Sequence, residues 1–297
     1  MESWRDKLLF WIQLPFQRLW HWSRTLLLIT GALVWLGIAA VSVFTALLLK
    51  DLPTSEQMSM DNLQQIANQR LHMRAELNKT SAQSRDATIY PWVALDQVSR
   101  DLLYSIVLSE DGDFFAHQGI DYDALQAALA ENIKRREWAF GASTISQQTA
   151  KNLFLDSNKS LTRKFQELIA TLRLEQALNK NQILEIYLNI AEFGPDLYGV
   201  KAAAQYYFET TPDQLNAAQG AFLALLLPSP RRYHYSLVSN GNWSPALRKK
   251  MQRILRDMRF KEFISAEQYQ SYRKWRYAGL PEKSNLAIRE ASEKSSG

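Results

Sequence analysis

The feature that most constrains this chain is an uncharged apolar run near its N-terminus, from Thr25 to Leu49. As a helix this run is about 37 Å long, which exceeds the ~30 Å hydrocarbon core of a bilayer. It is too long for the apolar region of a cleaved signal peptide, and it ends in three leucines and Lys50 instead of a small-residue cleavage site. A buried core helix is the other interpretation, but the unbroken length favours an uncleaved signal anchor over residues 25–49.

The charges on either side of the run predict its orientation. Four basic residues precede the run, whereas only Lys50 follows it closely. The positive-inside rule therefore places residues 1–24 in the cytoplasm and everything beyond about residue 50 on the outer side. The predicted location is the plasma (inner) membrane, crossed once, with the remainder of the chain periplasmic or otherwise extracytoplasmic.

The outer part of the chain divides into three regions by its sequence pattern. Residues 50–88 are polar with only weak helical periodicity, which predicts a stalk or linker. Residues 89–277 carry apolar positions at helical spacing and almost no strand alternation, so this domain is predicted to be mainly α. Residues 278–297 are rich in Ser, Glu and Lys, which predicts a disordered tail. Capping patterns predict helices that begin near Ser160, Lys180, Ser244 and Ser265.

Composition excludes several classes of protein. The chain has no cysteine, which rules out a disulfide scaffold, a cysteine-ligated metal site and a cysteine nucleophile. Residues 231–297 contain 15 Lys and Arg against 6 Asp and Glu, within a chain whose net charge is +5. This basic end indicates an anionic partner or a solvated basic surface. Nucleic acid is disfavoured as the partner, since this region should lie outside the cytoplasm.

Two carboxylates have surroundings suited to chemistry. Glu110 follows the apolar run 102–108 and opens an acid-rich loop, so it could act as a general base or acid or simply be solvated. Glu167 lies four residues after Arg163 and three after Lys164, so all three can share one helix face. An ordinary surface salt-bridge cluster is the alternative for this second group.

A polar segment lies between these carboxylates, from Gly141 to Asn152. It is dense in uncharged hydrogen-bonding side chains and contains one ammonium, Lys151, but it lacks the glycine and lysine spacing of a P-loop. Such a segment could bind sugar hydroxyls or phosphate oxygens, or it could be a capped polar helix. Metal signatures are weak: the four histidines are far apart, and His117 is predicted to be a hydrogen-bonding residue instead of a ligand.

Taken together, four segments resemble one known family. They are Glu110-Asp-x-x-Phe-x-x-His117-x-Gly-x-Asp121, Gly141-Ala-Ser-Thr-Ile-x-Gln-Gln-x-x-Lys-Asn152, Arg163-Lys-x-x-Glu167 and Lys180-x-x-Ile-Leu-Glu-x-Tyr-Leu-Asn189. In this order and spacing the chain resembles the monofunctional biosynthetic peptidoglycan transglycosylases of glycosyltransferase family 51, which also form one module of class A penicillin-binding proteins. The resemblance covers about residues 89–275.

The resemblance implies a fold and a set of site residues. The fold is lysozyme-like and α-helical, with a small membrane-proximal jaw to which Trp138 and Phe140 could belong. Glu110 corresponds to the catalytic base and Glu167 to a second functional carboxylate. The residues expected to bind substrate are Asp111, His117, Ser143, Thr144, Gln147, Gln148, Lys151, Asn152, Lys159, Arg163 and Lys164.

The resemblance also implies a reaction. The family polymerises lipid II, so the GlcNAc 4-hydroxyl of one molecule would attack C1 of the growing chain's MurNAc with inversion and release undecaprenyl pyrophosphate. Basic side chains would stabilise that leaving group, with or without a divalent cation such as Mg²⁺ or Mn²⁺. Proteins of cell-wall synthesis or division are expected partners. A lytic, lysozyme-like enzyme on finished glycan and a non-catalytic scaffold are the alternatives.

Overall fold

A computed structural model describes residues 4–50, 52–79, 90–136, 141–155, 160–239, 241 and 243–280. The chain forms two compact units, Met1–Leu52 and Pro53–Gly297. The predicted jaw residues Trp138 and Phe140, Lys159 and most of the predicted C-terminal tail lie outside the described residues.

The first unit is a single long helix, α1 (Trp4–Leu49). Its part from Trp22 to Leu49 has a mean hydropathy of 2.4 and is long and apolar enough to cross a membrane. Large apolar side chains are exposed along this part, among them Leu27, Trp35 and Phe44. Exposed apolar surface of this length is compatible with the membrane anchor that the sequence predicts.

The second unit is mainly helical, as predicted. Its helices are α2 (Met60–Lys79), α3 (Arg100–Glu110), α4 (Tyr122–Arg135), α5 (Ile145–Phe154), α6 (Leu161–Ala177), α7 (Lys180–Ile190), α8 (Val200–Phe208), α9 (Ala217–Leu226), α10 (Pro230–Tyr233), α11 (Pro245–Phe260) and α12 (Ala266–Tyr272). Two short strands, β1 (Glu192–Gly194) and β2 (Leu197–Tyr198), pair antiparallel with Glu192 opposite Tyr198.

The core of this unit is built around α9. Almost every residue of this helix is buried, and it packs against α3 and α11. Gly220 permits the close approach of α3, because a Cβ added there would lie 2.9 Å from the Cα of Leu102. The contact fixes the direction of α3 and therefore the position of its last residue, Glu110.

The predicted helix starts are confirmed, and each has a side-chain cap. The Ser160 and Ser244 hydroxyls accept hydrogen bonds from Arg163 N and Leu247 N, and Ser265 forms a capping box with Gln268. The α7 helix begins at Lys180 after an Asn179 cap. These caps satisfy backbone donors that a helix start would otherwise leave unpaired.

The segment 50–88 differs from its prediction as a stalk or linker. From Pro53 onward the chain belongs to the second unit, and α2 packs against α5 and α7. Its buried stripe runs through Leu63 and Ala67 and then continues at the same spacing with Arg70 and Arg74. Because arginines complete the stripe, its apolar periodicity is weak, which is why the sequence pattern indicated a linker. Residues 80–88 lie outside the described residues.

Candidate active site

Glu110 is the last residue of α3 and points among three hydrogen-bonding groups. Its side chain is 8% exposed. Gln148 Nε2 donates to its Oε2 at 3.3 Å, Ser109 Oγ donates to Oε1 at 3.2 Å, and Lys250 Nζ lies 3.5 Å from Oε1. A carboxylate held this way retains lone pairs for an incoming proton. We call this group the Glu110 end of the site.

A buried tyrosine orients the amide of Gln148. Tyr187 OH donates to Gln148 Oε1 at 3.4 Å, which turns Nε2 of the amide toward Glu110. Burial raises the pKa of Tyr187 well above its ordinary value, and the charges of Glu110 and Asp111 raise it further. The phenol therefore stays a neutral donor, and the orientation of the amide is preserved.

Glu167 lies on α6 in a different charge environment. Its side chain is 3% exposed. Arg163 Nη1 donates to Oε2 at 3.0 Å, and Lys164 Nζ donates to Oε1 at 2.5 Å. The helical spacing predicted this contact, and the structure places all three side chains together. Two cations on one carboxylate leave a net positive charge. We call Arg163, Lys164 and Glu167 the Glu167 end of the site.

Helix α5 connects the two ends. Gln148, which contacts Glu110, and Lys151 lie three residues apart and so share a face of α5, which packs against α6. Burial lowers the pKa of Lys151, and the Glu167 carboxylate opposes that shift. The charges of Arg163, Lys164 and Arg74 lower the pKa of Lys151 further.

The N-terminus of α5 is tied to the loop that follows Glu110. Asp111 Oδ2 accepts from Ile145 N at 2.9 Å, and Asp111 Oδ1 is 2.9 Å from His117 Nε2. Thr144 Oγ1 donates to Gly119 O at 2.7 Å. A carboxylate at a helix N-terminus is also favoured by the helix dipole. Asp111, His117 and Thr144 therefore all have internal partners that brace the loop against α5.

One group within the described residues has the atom types of a metal site. Single donor atoms of Asp111, His117 and Asp121 lie within 4.8 Å of one another. The hydrogen bonds of Asp111 account for its approach to His117, and Asp121 Oδ1 accepts from Ala124 N as the cap of α4. Both carboxylates thus already accept hydrogen bonds from helix N-termini, which accounts for the closeness of the three residues without a bound ion.

The other predicted substrate residues of this segment differ in burial and in their contacts. Gln147 is buried, and its Oε1 accepts from Thr144 N in the capping box of α5. Ser143 is exposed at the entrance to α5. Asn152 lies in the last turn of α5, where its backbone carbonyl accepts a hydrogen bond from Arg74. Among the predicted substrate residues of α5, Gln148 contacts Glu110 and Lys151 feels the charge of Glu167.

The fourth motif holds the backbone that leads into α3. Glu185 Oε1 accepts from Trp92 Nε1 at 2.8 Å, and Oε2 accepts from Leu95 N at 2.9 Å. Asn189 pairs with both the N–H and the carbonyl of Val93. Glu185 and Asn189 therefore hold the segment that precedes α3, while Tyr187 of the same motif contacts Gln148.

Sequence reasoning did not select Lys250 as a site residue. Burial lowers the pKa of Lys250, and Glu110 opposes that shift. Lys250 lies three residues after Leu247 and four before Ile254, both on the buried face of α11. This spacing distinguishes it from the exposed cations of the same helix, Arg248 and Lys249, and is the signal that could have identified it.

Comparison with known proteins assigns the family. The transglycosylase family profile matches residues 76–259, more than half of the chain. Proteins named biosynthetic peptidoglycan transglycosylase from Herminiimonas arsenicoxydans and Acinetobacter baylyi are 43% and 44% identical to it. These matches span 54% and 58% of this chain and 70% and 74% of the relatives. The chain therefore belongs to the transglycosylase family and is an enzyme of that class, as its four motifs predict.

Proposed function

We propose that this transglycosylase polymerises lipid II into the glycan strands of peptidoglycan. The observation that carries the proposal is the pair of unlike carboxylate environments joined by α5. At one end Glu110 can receive a proton, and at the other cations gather around Glu167. A sugar polymerase that expels pyrophosphate needs these two functions. The relatives named biosynthetic peptidoglycan transglycosylase support peptidoglycan as the product.

Glu110 acts on the acceptor. Its carboxylate takes the proton of the GlcNAc 4-hydroxyl while that oxygen attacks C1 of the MurNAc at the end of the growing chain. The new O4–C1 bond forms on the face opposite the pyrophosphate, so the configuration at C1 inverts. Gln148 and Lys250 hold the carboxylate in place during this step.

The cations act on the leaving group. As the bond from C1 to the pyrophosphate oxygen breaks, its electron pair remains on undecaprenyl pyrophosphate. Lys151, Arg163 and Lys164 stabilise that negative charge, and Lys159 is expected to contribute. Because the leaving group is already a stable anion, no general acid is needed. The proposal assigns no step to a metal ion.

The apolar helix would hold the enzyme beside its lipid-linked substrate. In this proposal Trp22–Leu49 spans the inner membrane once, and the second unit lies on the periplasmic side. Restricting enzyme and substrate to one surface raises their effective concentration. Partners among wall-synthesis or division proteins stay a prediction.

A polymerisation assay tests the proposal. Full-length protein in detergent is incubated with labelled lipid II beside Glu110→Gln and a control variant, Glu262→Gln, which alters an exposed carboxylate. We expect product ladders from the parent and the control and none from Glu110→Gln. Release of fragments from finished glycan instead of ladders would indicate the lytic enzyme. Folded parent protein that is inactive on both substrates would indicate a scaffold.

A further inference from the structure

Helix α2 is the part of the second unit that the family assignment explains least. Residues 60–75, most of this helix, precede the matched range 76–259. Yet α2 packs on α5, the helix that joins the two ends of the site. Leu63 and Ala67 are almost completely buried in the contact stripe. A segment attached this closely is positioned to act on α5.

Two arginines of α2 contact the C-terminal end of α5. Arg70 Nη1 donates to Leu155 O at 3.1 Å, and Arg74 Nη2 donates to Asn152 O at 3.3 Å. The last four carbonyls of a helix have no partner within the helix, and positive charge there is favoured by the helix dipole. The Arg74 guanidinium also lies over the Tyr198 ring, 5.5 Å from its centroid, which restricts its orientation.

We propose that Arg70 and Arg74 are positioning residues of the active site, which hold the last turn of α5 so that Lys151 faces the Glu167 end. This inference rests on the proposed function for its catalytic meaning. Lys151 lies in the turn to whose carbonyls, those of Asn152 and Leu155, the two arginines donate hydrogen bonds. Without them the turn would fray at the helix end, and the ammonium would lose its fixed place beside the leaving group.

The two arginines differ in their electrostatic effect, which allows a sharp test. Within the described part of the chain, the charged groups that act on Lys151 are Glu167, Arg163 and Lys164 from α6 and Arg74 from α2. Arg74 lowers the pKa of Lys151, so its removal should raise that pKa and extend activity to higher pH. Arg70 is not among these groups, so removing it should leave the alkaline limb of the pH profile unchanged.

The experiment compares Arg74→Met, Arg74→Lys and Arg70→Met with the control Gln69→Met, an exposed position on the same helix. Full-length proteins in detergent are assayed for kcat, KM and pH profile with lipid II. We expect kcat to fall about tenfold in both Met variants, with little change in KM. The alkaline limb should move to higher pH in Arg74→Met alone, and Arg74→Lys should retain the parent limb. The control should match the parent.

Amide hydrogen exchange supplies a readout that does not depend on the reaction. Peptides covering residues 151–155 should exchange faster in Arg70→Met and Arg74→Met than in the parent or the control. If the parent does not polymerise lipid II, the proposed function fails, and this exchange result alone decides whether α2 clamps α5. For an active parent, unchanged kcat in Arg74→Met overturns the inference. Unchanged exchange at 151–155 overturns it in either case.

Discussion

Glu110 and Glu167 both have little exposed surface, but their neighbours differ in charge. Glu110 has an amide and a hydroxyl within 3.3 Å and one ammonium at 3.5 Å. Glu167 has a guanidinium at 3.0 Å and an ammonium at 2.5 Å. Glu167 is therefore paired directly with two cations, whereas the contacts of Glu110 are longer and mostly with neutral groups. The same residue type thus lies in two different charge environments, and the proposed reaction gives each environment its own role.

The largest expected effect comes from removing the carboxylate at the Glu110 end. Glu110→Gln keeps the shape of the side chain but removes the proton acceptor, so the polymerisation rate should fall by about a thousandfold. The initial rate with lipid II measures this, and circular dichroism checks the fold. A loss smaller than tenfold would mean that another group takes the proton.

The next largest effect comes from removing the negative charge at the Glu167 end. Glu167→Gln removes the charge that raises the pKa of Lys151, so that pKa should fall further and the alkaline limb should move to lower pH. In the proposed reaction Lys151 must be protonated to stabilise the leaving group, so we expect the rate to fall by about a hundredfold. A pH–rate profile beside Glu262→Gln checks both effects. An alkaline limb that stays in place or moves upward would contradict the assignment of Lys151.

The same variant should also reduce stability. It removes a buried charge from two cations, and because Lys164 is half exposed, solvent screening limits the loss of unfolding free energy to about 2 kcal/mol. Denaturant unfolding of the detergent-solubilised protein measures the loss. A variant as stable as the parent would mean that the ion pairs contribute nothing measurable.

A smaller effect tests the cation at the Glu110 end. Lys250→Met should lower the rate by about tenfold, since it removes one of three groups that hold the base. Lys249→Met is the matched control, because its side chain is exposed on the same helix. Equal rates for the two variants would show that the 3.5 Å approach of Lys250 has no role in positioning Glu110.

The smallest effect concerns metal ions. If Lys151 and the Glu167 end stabilise the pyrophosphate, EDTA should change the rate by less than about threefold, and Mg²⁺ or Mn²⁺ should not be needed to restore it. Rates measured with and without the chelator provide the test. A loss of activity that Mn²⁺ reverses would assign part of this charge stabilisation to a cation.

Much of the fold was predictable because its signals are local. The caps at Ser160, Ser244 and Ser265 act within four residues of each helix start, and all three are confirmed. The spacing of Arg163 and Glu167 likewise predicted their contact, since i and i+4 meet on any helix.

The rest depended on contacts between distant parts of the chain. Lys250 lies 140 residues from Glu110, and Arg70 lies 85 residues from the carbonyl it contacts. The helical period of a sequence relates only residues a few positions apart, so it cannot predict contacts between residues this distant. The α2 segment was therefore interpreted as a linker, since the arginines that dock it look like surface residues in the sequence.

The sequence alone determined the apolar helix, the helix starts, the family and the cation cluster of α6, because helical period, capping and short spacing are local properties. Only the tertiary structure decided which groups surround Glu110 and what α2 does. The physical reason is that burial and charge environment arise when separate helices pack, as α3, α5, α7 and α11 do around Glu110. A carboxylate becomes a base or an anchor only through those neighbours.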